Sequence, residues 1–262
     1  MKALFPELRR CAVIGMVHLR PLPGSPGWQG AMTAVLDAAM SDAEALMLGG
    51  CDGLLVENMG DVPYLKGRVH PETAAAMAVV TAAVVELGLP TGVQVLAGAN
   101  RQALGVAVAA GARFIRAEAF AYGHVADEGW LEATAGELLR ARAALGAEIA
   151  IWADVQKKHA AHAATGDLSL AGLCQGHAFC GADALVITGP STGSRTDPGD
   201  VQDARTAGLP VIVGSGVDDV DAAELAGLAD ALIVGSWLKE SGDWRRPVDR
   251  ERVRRVVQAV AG

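Results

Sequence analysis

The sequence predicts an α/β fold, a (β/α)8 barrel built as one domain over residues 1–262, and three observations lead there. Eight apolar runs rich in Val, Ile and Leu alternate with stretches of helical period, as in a parallel sheet buried on both faces. The last two runs stop at Gly214-Ser215-Gly216 and Gly235-Ser236, and such turns after strands 7 and 8 are where a barrel holds a phosphate. The length, 262 residues, suits a fold that takes about 250. An open doubly wound sheet is the competing arrangement; no G-x-G-x-x-G follows the first strand, which counts against it.

The elements follow in order. Strand 12–17 hands over at His18 to a loop, 18–30, in which Pro21, Pro23 and Pro26 impose an extended, stiff path; helix 31–48 comes next. Strand 53–56 ends at Glu57 and Asn58, with a loop over 57–71 and a helix over 72–87. Strand 92–96 and helix 101–110 are close together. Strand 113–117 contains Arg116 and runs through a long loop, 118–129, into helix 130–145. Strand 148–153 ends at Asp154, and loop 154–168 carries Lys158 and His159 before helix 169–180. Strand 184–188 leads through Ser191-Thr192-Gly193-Ser194-Arg195 to helix 198–207. Strands 210–214 and 231–235 end in the two Gly-Ser turns, with helices 218–226 and 249–260 behind them. A glycine just past a helix, as in Gly50-Cys51-Asp52 and Gly181-Ala182-Asp183, marks the helix-to-strand junctions. The long loops all follow strands, so they gather on the face where barrels carry their chemistry.

Composition narrows the function classes. A net charge of −8 with no block of Lys or Arg argues against a nucleic-acid partner. Cys11, Cys51, Cys174 and Cys180 contain no C-x-x-C pair and read as reduced, packed thiols of a cytoplasmic protein. Cys174, His177 and Cys180 lie three apart but walk around a helix, with no evident fourth metal ligand. Glu7, Arg9 and Arg10 interrupt any signal-peptide core. The most apolar helical run, 74–89, contains Thr81 and Glu86 and falls short of the ~20 apolar residues of a membrane span. It reads as a barrel helix buried on a wide face, with a contact in a homo-oligomer as one use of that face.

Strand ends set a ring of polar groups around one opening: His18, Glu57 with Asn58, Gln94, Arg116 with Glu118, Asp154 with Lys158 and His159, and Thr188. Asp154 and Glu57 are the leading acid/base residues, because each ends an apolar strand that desolvates it; the alternative is loop capping or a structural ion pair with Arg116. Lys158 suits charge stabilisation of an oxyanion better than a Schiff base. His18, on its stiff loop, suits an acid, base or donor. His159 and His162 with Asp154 leave a divalent metal as an alternative, against plain loop surface; no other cofactor is expected. Gly193, Gly214, Ser215, Gly216, Gly235 and Ser236 form the expected phosphate cradle, with Lys239 close behind, and a phosphorylated small molecule is the expected ligand.

The run Val13-Ile14-Gly15-Met16-Val17-His18-Leu19, continuing Pro21-Leu22-Pro23-Gly24-Ser25-Pro26, resembles the opening signature of the BtpA family, bacterial and archaeal proteins named after a photosystem I biogenesis factor. The resemblance extends through Glu57-Asn58-Met59-Gly60-Asp61, Phe114-Ile115-Arg116, Asp154-Val155, Lys158-His159-Ala160, Thr192-Gly193, both Gly-Ser turns and Pro247-Val248-Asp249, and so over nearly the full length. It implies a barrel of the ribulose-phosphate-binding type whose biochemical activity is poorly defined. The chain departs from the family pattern at Leu96-Ala97-Gly98-Ala99-Asn100, where a Leu-Arg-Asn-Asp-like segment is usual. Gln156 stands where a histidine is often found, which removes a metal-capable side chain. Three readings follow: an enzyme of isomerase or lyase type acting on a phosphorylated metabolite, a non-catalytic assembly factor for a membrane complex, and a phosphosugar or nucleotide sensor. No lipid anchor or basic amphipathic helix supports the second.

Overall fold

A computed structural model describes residue 1 and residues 4–8, 10–189 and 195–262. Its chain order is β1 (Ala12–His18), α1 (Met32–Gly49), β2 (Gly53–Glu57), α2 (Pro71–Val85), β3 (Thr91–Gln94), α3 (Asn100–Ala110), β4 (Phe114–Ala117), β5 (His124–Ala126), β6 (Gly129–Leu131), α4 (Ala135–Ala144), β7 (Ala150–Asp154), β8 (Ala160–Ala161), α5 (Leu170–Phe179), β9 (Ala184–Ile187), α6 (Pro198–Arg205), β10 (Val211–Val213), α7 (Ala222–Ala226), β11 (Ala231–Val234) and α8 (Arg250–Ala261). Eight of the strands close a parallel barrel in the order β1-β11-β10-β9-β7-β4-β3-β2. The predicted alternation is therefore present, and each barrel strand falls on one of the eight apolar runs.

Two cores result from the period of two along each strand. Inward side chains, among them Ile14, Leu55, Phe114, Trp152, Val186, Ile212 and Ile233, fill the barrel lumen. Phe114 and Trp152 stack there with ring centroids 3.7 Å apart. Outward side chains such as Val13, Leu54, Ile115, Ile151 and Leu232 pack against the helices. Met1, Leu4, Phe5 and Leu8 lie against the lumen cluster, at the end opposite the loops that follow the strands. The junction glycines behave as expected: Gly50 and Gly181 take φ of 101° and 87°, a left-handed conformation that ends a helix.

Some elements differ from the sequence reading. The stretch 130–145 was expected to be all helix, but Trp130 lies on β6 and α4 starts only at Ala135. β6, β5 and β8 form a small antiparallel sheet from the loops after β4 and β7. That pairing satisfies backbone groups the loops would otherwise leave open, and it gives the barrel mouth a fixed rim. The helix expected from 218 starts at Ala222, because Asp218 Oδ1 accepts the N–H groups of Val220 and Asp221 in a local turn. Among the described residues no helix is long and apolar enough to cross a membrane.

Candidate active site

Strand register builds the site before any loop is considered. His18 pairs with Glu57 and Glu57 with Gln94 across β1, β2 and β3, so three polar side chains stand side by side at one end of the lumen. Along β4 the inward positions continue from Phe114 to Arg116 and on to Glu118; along β7 they continue from Trp152 to Asp154. The two Gly-Ser turns close the circle. The polar residues among these and both turns, with Lys157, Lys158, His159 and Trp237, line one cavity of about 290 Å³ at the barrel mouth.

At its centre is a buried ion pair. Arg116 Nε lies 3.1 Å from both Asp154 oxygens, and Nη2 lies 2.9 Å from Oδ1. Burial works to lower the guanidinium pKa and is outweighed by Asp154, Glu57 and Glu118, so Arg116 is held charged. Its Nη1 reaches the Gly214 carbonyl at 3.4 Å and so joins the pair to the first Gly-Ser turn. Asp154 was expected to lead the proton transfers, with a structural ion pair to Arg116 as the alternative. Both its oxygens accept from Arg116, so the ion-pair alternative is the one the geometry meets.

Glu57 is placed differently. Burial raises its pKa against the pull of Arg116 and Lys158. Its Oε2 lies 3.5 Å from His18 Nε2. Burial, reinforced by the charges of Lys239 and Lys158, drives the His18 imidazole well below its ordinary pKa, so the ring is neutral. His18 Nδ1 is buried and has no hydrogen-bond partner among the described residues. Glu118 was in the predicted ring but without a role; burial pushes its carboxyl up to about 7 against the pull of Lys157. Lys157, absent from the predicted set, bridges Glu128 at 2.8 Å and Glu118 at 3.8 Å. Its only sequence signal was the pair of adjacent lysines after β7. Burial and Arg116 lower the pKa of Lys158, which suits an amine that donates to or receives from a substrate. His159 sits exposed on the rim with φ of 54°.

The turns present main-chain donors. The N–H groups of Ser215, Gly216, Gly235 and Ser236 find no acceptor among the described residues. Gly214 differs, because its N–H is spent on the Ile187 carbonyl at 2.8 Å; it shapes the cradle without donating to it. The Ser215 hydroxyl accepts the Gly189 N–H at 3.1 Å. A Cβ at Gly235 would stand 3.0 Å from His18 Cε1, so glycine there admits the imidazole to the cavity. Gly193 lies outside the described residues.

Other expectations are corrected. Asn58 is not on the cavity wall: its amide donates to Asp61 at 2.9 Å, and its carbonyl oxygen accepts the Leu96 N–H at 2.8 Å. The period of two explains this, since Asn58 has the opposite parity to Glu57. Lys239 is not part of the cradle but is buried against Asp42 under α1. Arg195 turns to Asp221 and Glu224. Of the residues considered for a metal, Asp154 accepts from Arg116, and His162 Nε2 meets the Lys157 carbonyl at 2.9 Å. Among the described residues no three His, Cys, Asp or Glu side chains group closely enough to hold a metal ion.

A family model described as "BtpA family" matches residues 9–262. An uncharacterized mitochondrial protein of Caenorhabditis elegans is 40% identical over 259 residues, covering 96% of this chain and 93% of its own. The photosystem I biogenesis protein BtpA of Synechocystis sp. is 38% identical over 259 residues, covering 95% and 88%. Among solved structures, phosphoribosyl anthranilate isomerase from Thermus thermophilus superposes with a TM-score of 0.57 at 16% identity, covering 95% of this chain and 98% of its own.

Proposed function

This chain belongs to the BtpA family, and from that premise we propose that it is an enzyme acting on a small phosphorylated metabolite by acid–base chemistry of the isomerase or lyase type. One observation carries the reading. A single small cavity has uncommitted main-chain N–H groups on one wall and buried proton-transfer groups, Glu57, His18 and Glu118, on another. The N–H groups of Ser215, Gly216, Gly235 and Ser236 receive the phosphate, as helix-terminal and glycine-rich turns do for anions. The name of the phosphoribosyl anthranilate isomerase neighbour fits such a use of the fold. With the phosphate held, the reacting carbon faces Glu57, whose raised pKa suits a base that must also release its proton. Neutral His18 donates from Nε2 to a developing oxyanion, and Lys158 offers a second donor. Arg116 and Asp154 hold the wall between anchor and acid–base groups rather than exchanging protons. Oriented binding of this kind can lower a barrier by up to about 7–11 kcal/mol.

A thermal-shift screen against phosphorylated sugars and carboxylic acids tests the reading. A ligand at about 100 times its Kd stabilises by about 2.7 kcal/mol. Ser236→Asp, which places a negative charge in the cradle, abolishes the shift, whereas Glu57→Gln keeps the shift and abolishes turnover. A panel that shifts nothing, or shifts equally in Ser236→Asp, refutes the anchor; turnover that survives Glu57→Gln refutes the acid–base assignment. The name of the Synechocystis relative favours an assembly role as a second reading. That reading leaves Glu57, Glu118 and His18 buried together without a use. We place the protein in the cytoplasm, on its reduced cysteines, although the worm relative is named mitochondrial.

A further inference from the structure

A second and larger cavity, of about 650 Å³, lies between α1, the loop after β1 and the segment that follows β11. Its size is that of a small-molecule site. Trp28 and Trp244 supply aromatic walls, and Arg20, Arg245 and Arg246 supply charge. The Arg20 and Arg246 guanidinium groups make no hydrogen bond or salt bridge among the described residues. Arg245 lies over the Trp244 ring, 4.6 Å from guanidinium carbon to ring centroid, and pairs with Asp243 at 3.3 Å, which leaves Arg20 and Arg246 as the uncommitted cations of the lining among the described residues. The one carboxylate in the lining, Asp42, is neutralised by the buried Lys239. A chain of net charge −8 therefore keeps a cationic, aromatic hollow beside its candidate active site. His18 is the shared wall: it lines both cavities, and its Nε2 faces Glu57.

We propose that this second cavity binds a nucleoside monophosphate, the base against Trp28 and Trp244 and the phosphate on Arg20 and Arg246. Tryptophan faces stack planar rings, and guanidinium forks match phosphate oxygens. Gln29 and Ser41, also in the lining, offer polar partners for a ribose. The inference rests on the second cavity alone and does not require the phosphate cradle.

Calorimetric titration of the full chain with AMP, GMP, CMP and UMP tests it, with adenosine and ribose 5-phosphate as half-ligands. At least one monophosphate binds saturably and more tightly than adenosine or ribose 5-phosphate. Arg20→Ala with Arg246→Ala weakens it by about a hundredfold or more, since two charged hydrogen-bonding groups are lost. Trp244→Leu also weakens it, and Ser236→Asp leaves it unchanged. Both arginines are exposed, and a far-ultraviolet spectrum like that of the parent establishes that the variant folds. Absence of saturable binding by all four monophosphates overturns the proposal. So does binding that survives the arginine variant, or that is lost in Ser236→Asp, which would put the nucleotide in the smaller cavity.

Discussion

Replacing Arg116 by Met tests the electrostatic design of the cavity most directly. Arg116 and Asp154 are 5% and 2% exposed at the side chain and share three contacts of 2.9–3.1 Å. Removing one partner of such a pair costs about 3–5 kcal/mol, because the other charge stays buried without compensation. The loss is not symmetric here. Arg116→Met leaves Asp154, Glu57 and Glu118 facing one another, whereas Asp154→Asn leaves an arginine that still has both glutamates nearby and an amide oxygen to donate to. Arg116→Met therefore costs the full about 3–5 kcal/mol, and Asp154→Asn about 1–3 kcal/mol. For a chain of this length that is about 6–20 °C in Tm for Arg116→Met.

Urea titration at neutral pH measures both variants. A pH series adds the sign. Without Arg116 the Glu57 and Glu118 carboxyls have folded pKa values raised further above their unfolded ones, so folding takes up protons and the deficit shrinks as pH falls. A loss below about 1 kcal/mol in Arg116→Met, a larger loss in Asp154→Asn, or a deficit that grows in acid would refute the reasoning.

Three further outcomes are expected. Glu118 titrates near about 7 in the fold against an ordinary 4.5, so its contribution is full below about pH 4.5 and is lost as pH rises through about 7. Stability curves of the parent therefore fall across that window, and those of Glu118→Gln fall less steeply there; parallel curves would remove the assignment. Asp42→Ala leaves the Lys239 ammonium and the Val248 N–H buried without their acceptor, and should destabilise by about 3–5 kcal/mol in chemical denaturation, more than Lys239→Met does. Burial pushes the Cys11, Cys51 and Cys174 thiols up to about 12, so in the native state a thiol reagent labels Cys180 alone, and the other three react only after unfolding.

Legibility in the sequence differed by kind of interaction. The barrel was readable because its strands are buried on both faces, which leaves apolar runs that need no partner to be recognised, and because glycines such as Gly50 and Gly181 end helices by local geometry alone. The donor turns were readable for the same reason, since Gly-Ser at the end of two successive runs is a local pattern. Part of the site was readable too, and more could have been: counting parity from Trp152 and Phe114 places Asp154, Arg116 and Glu118 inward, and the same count from Leu55 places Asn58 outward. Small strands such as β5, β6 and β8 were missed because pairings of two or three residues leave almost no periodic signal.

What tertiary structure alone decided is the partnering of charges. Arg116 meets Asp154 because β4 and β7 are neighbours in the barrel. Lys239 meets Asp42, 197 residues away in the chain, because closure brings the segment after β11 under α1. His18 came to separate two cavities because closure sets β1 beside β11 and brings Gly235 to the imidazole. The sequence by itself determined which residues reach the mouth of the barrel, since that depends on local period. Which of them neutralise one another, and which stay uncommitted for a ligand, depends on distances across the closed sheet, and those exist only once the chain has folded.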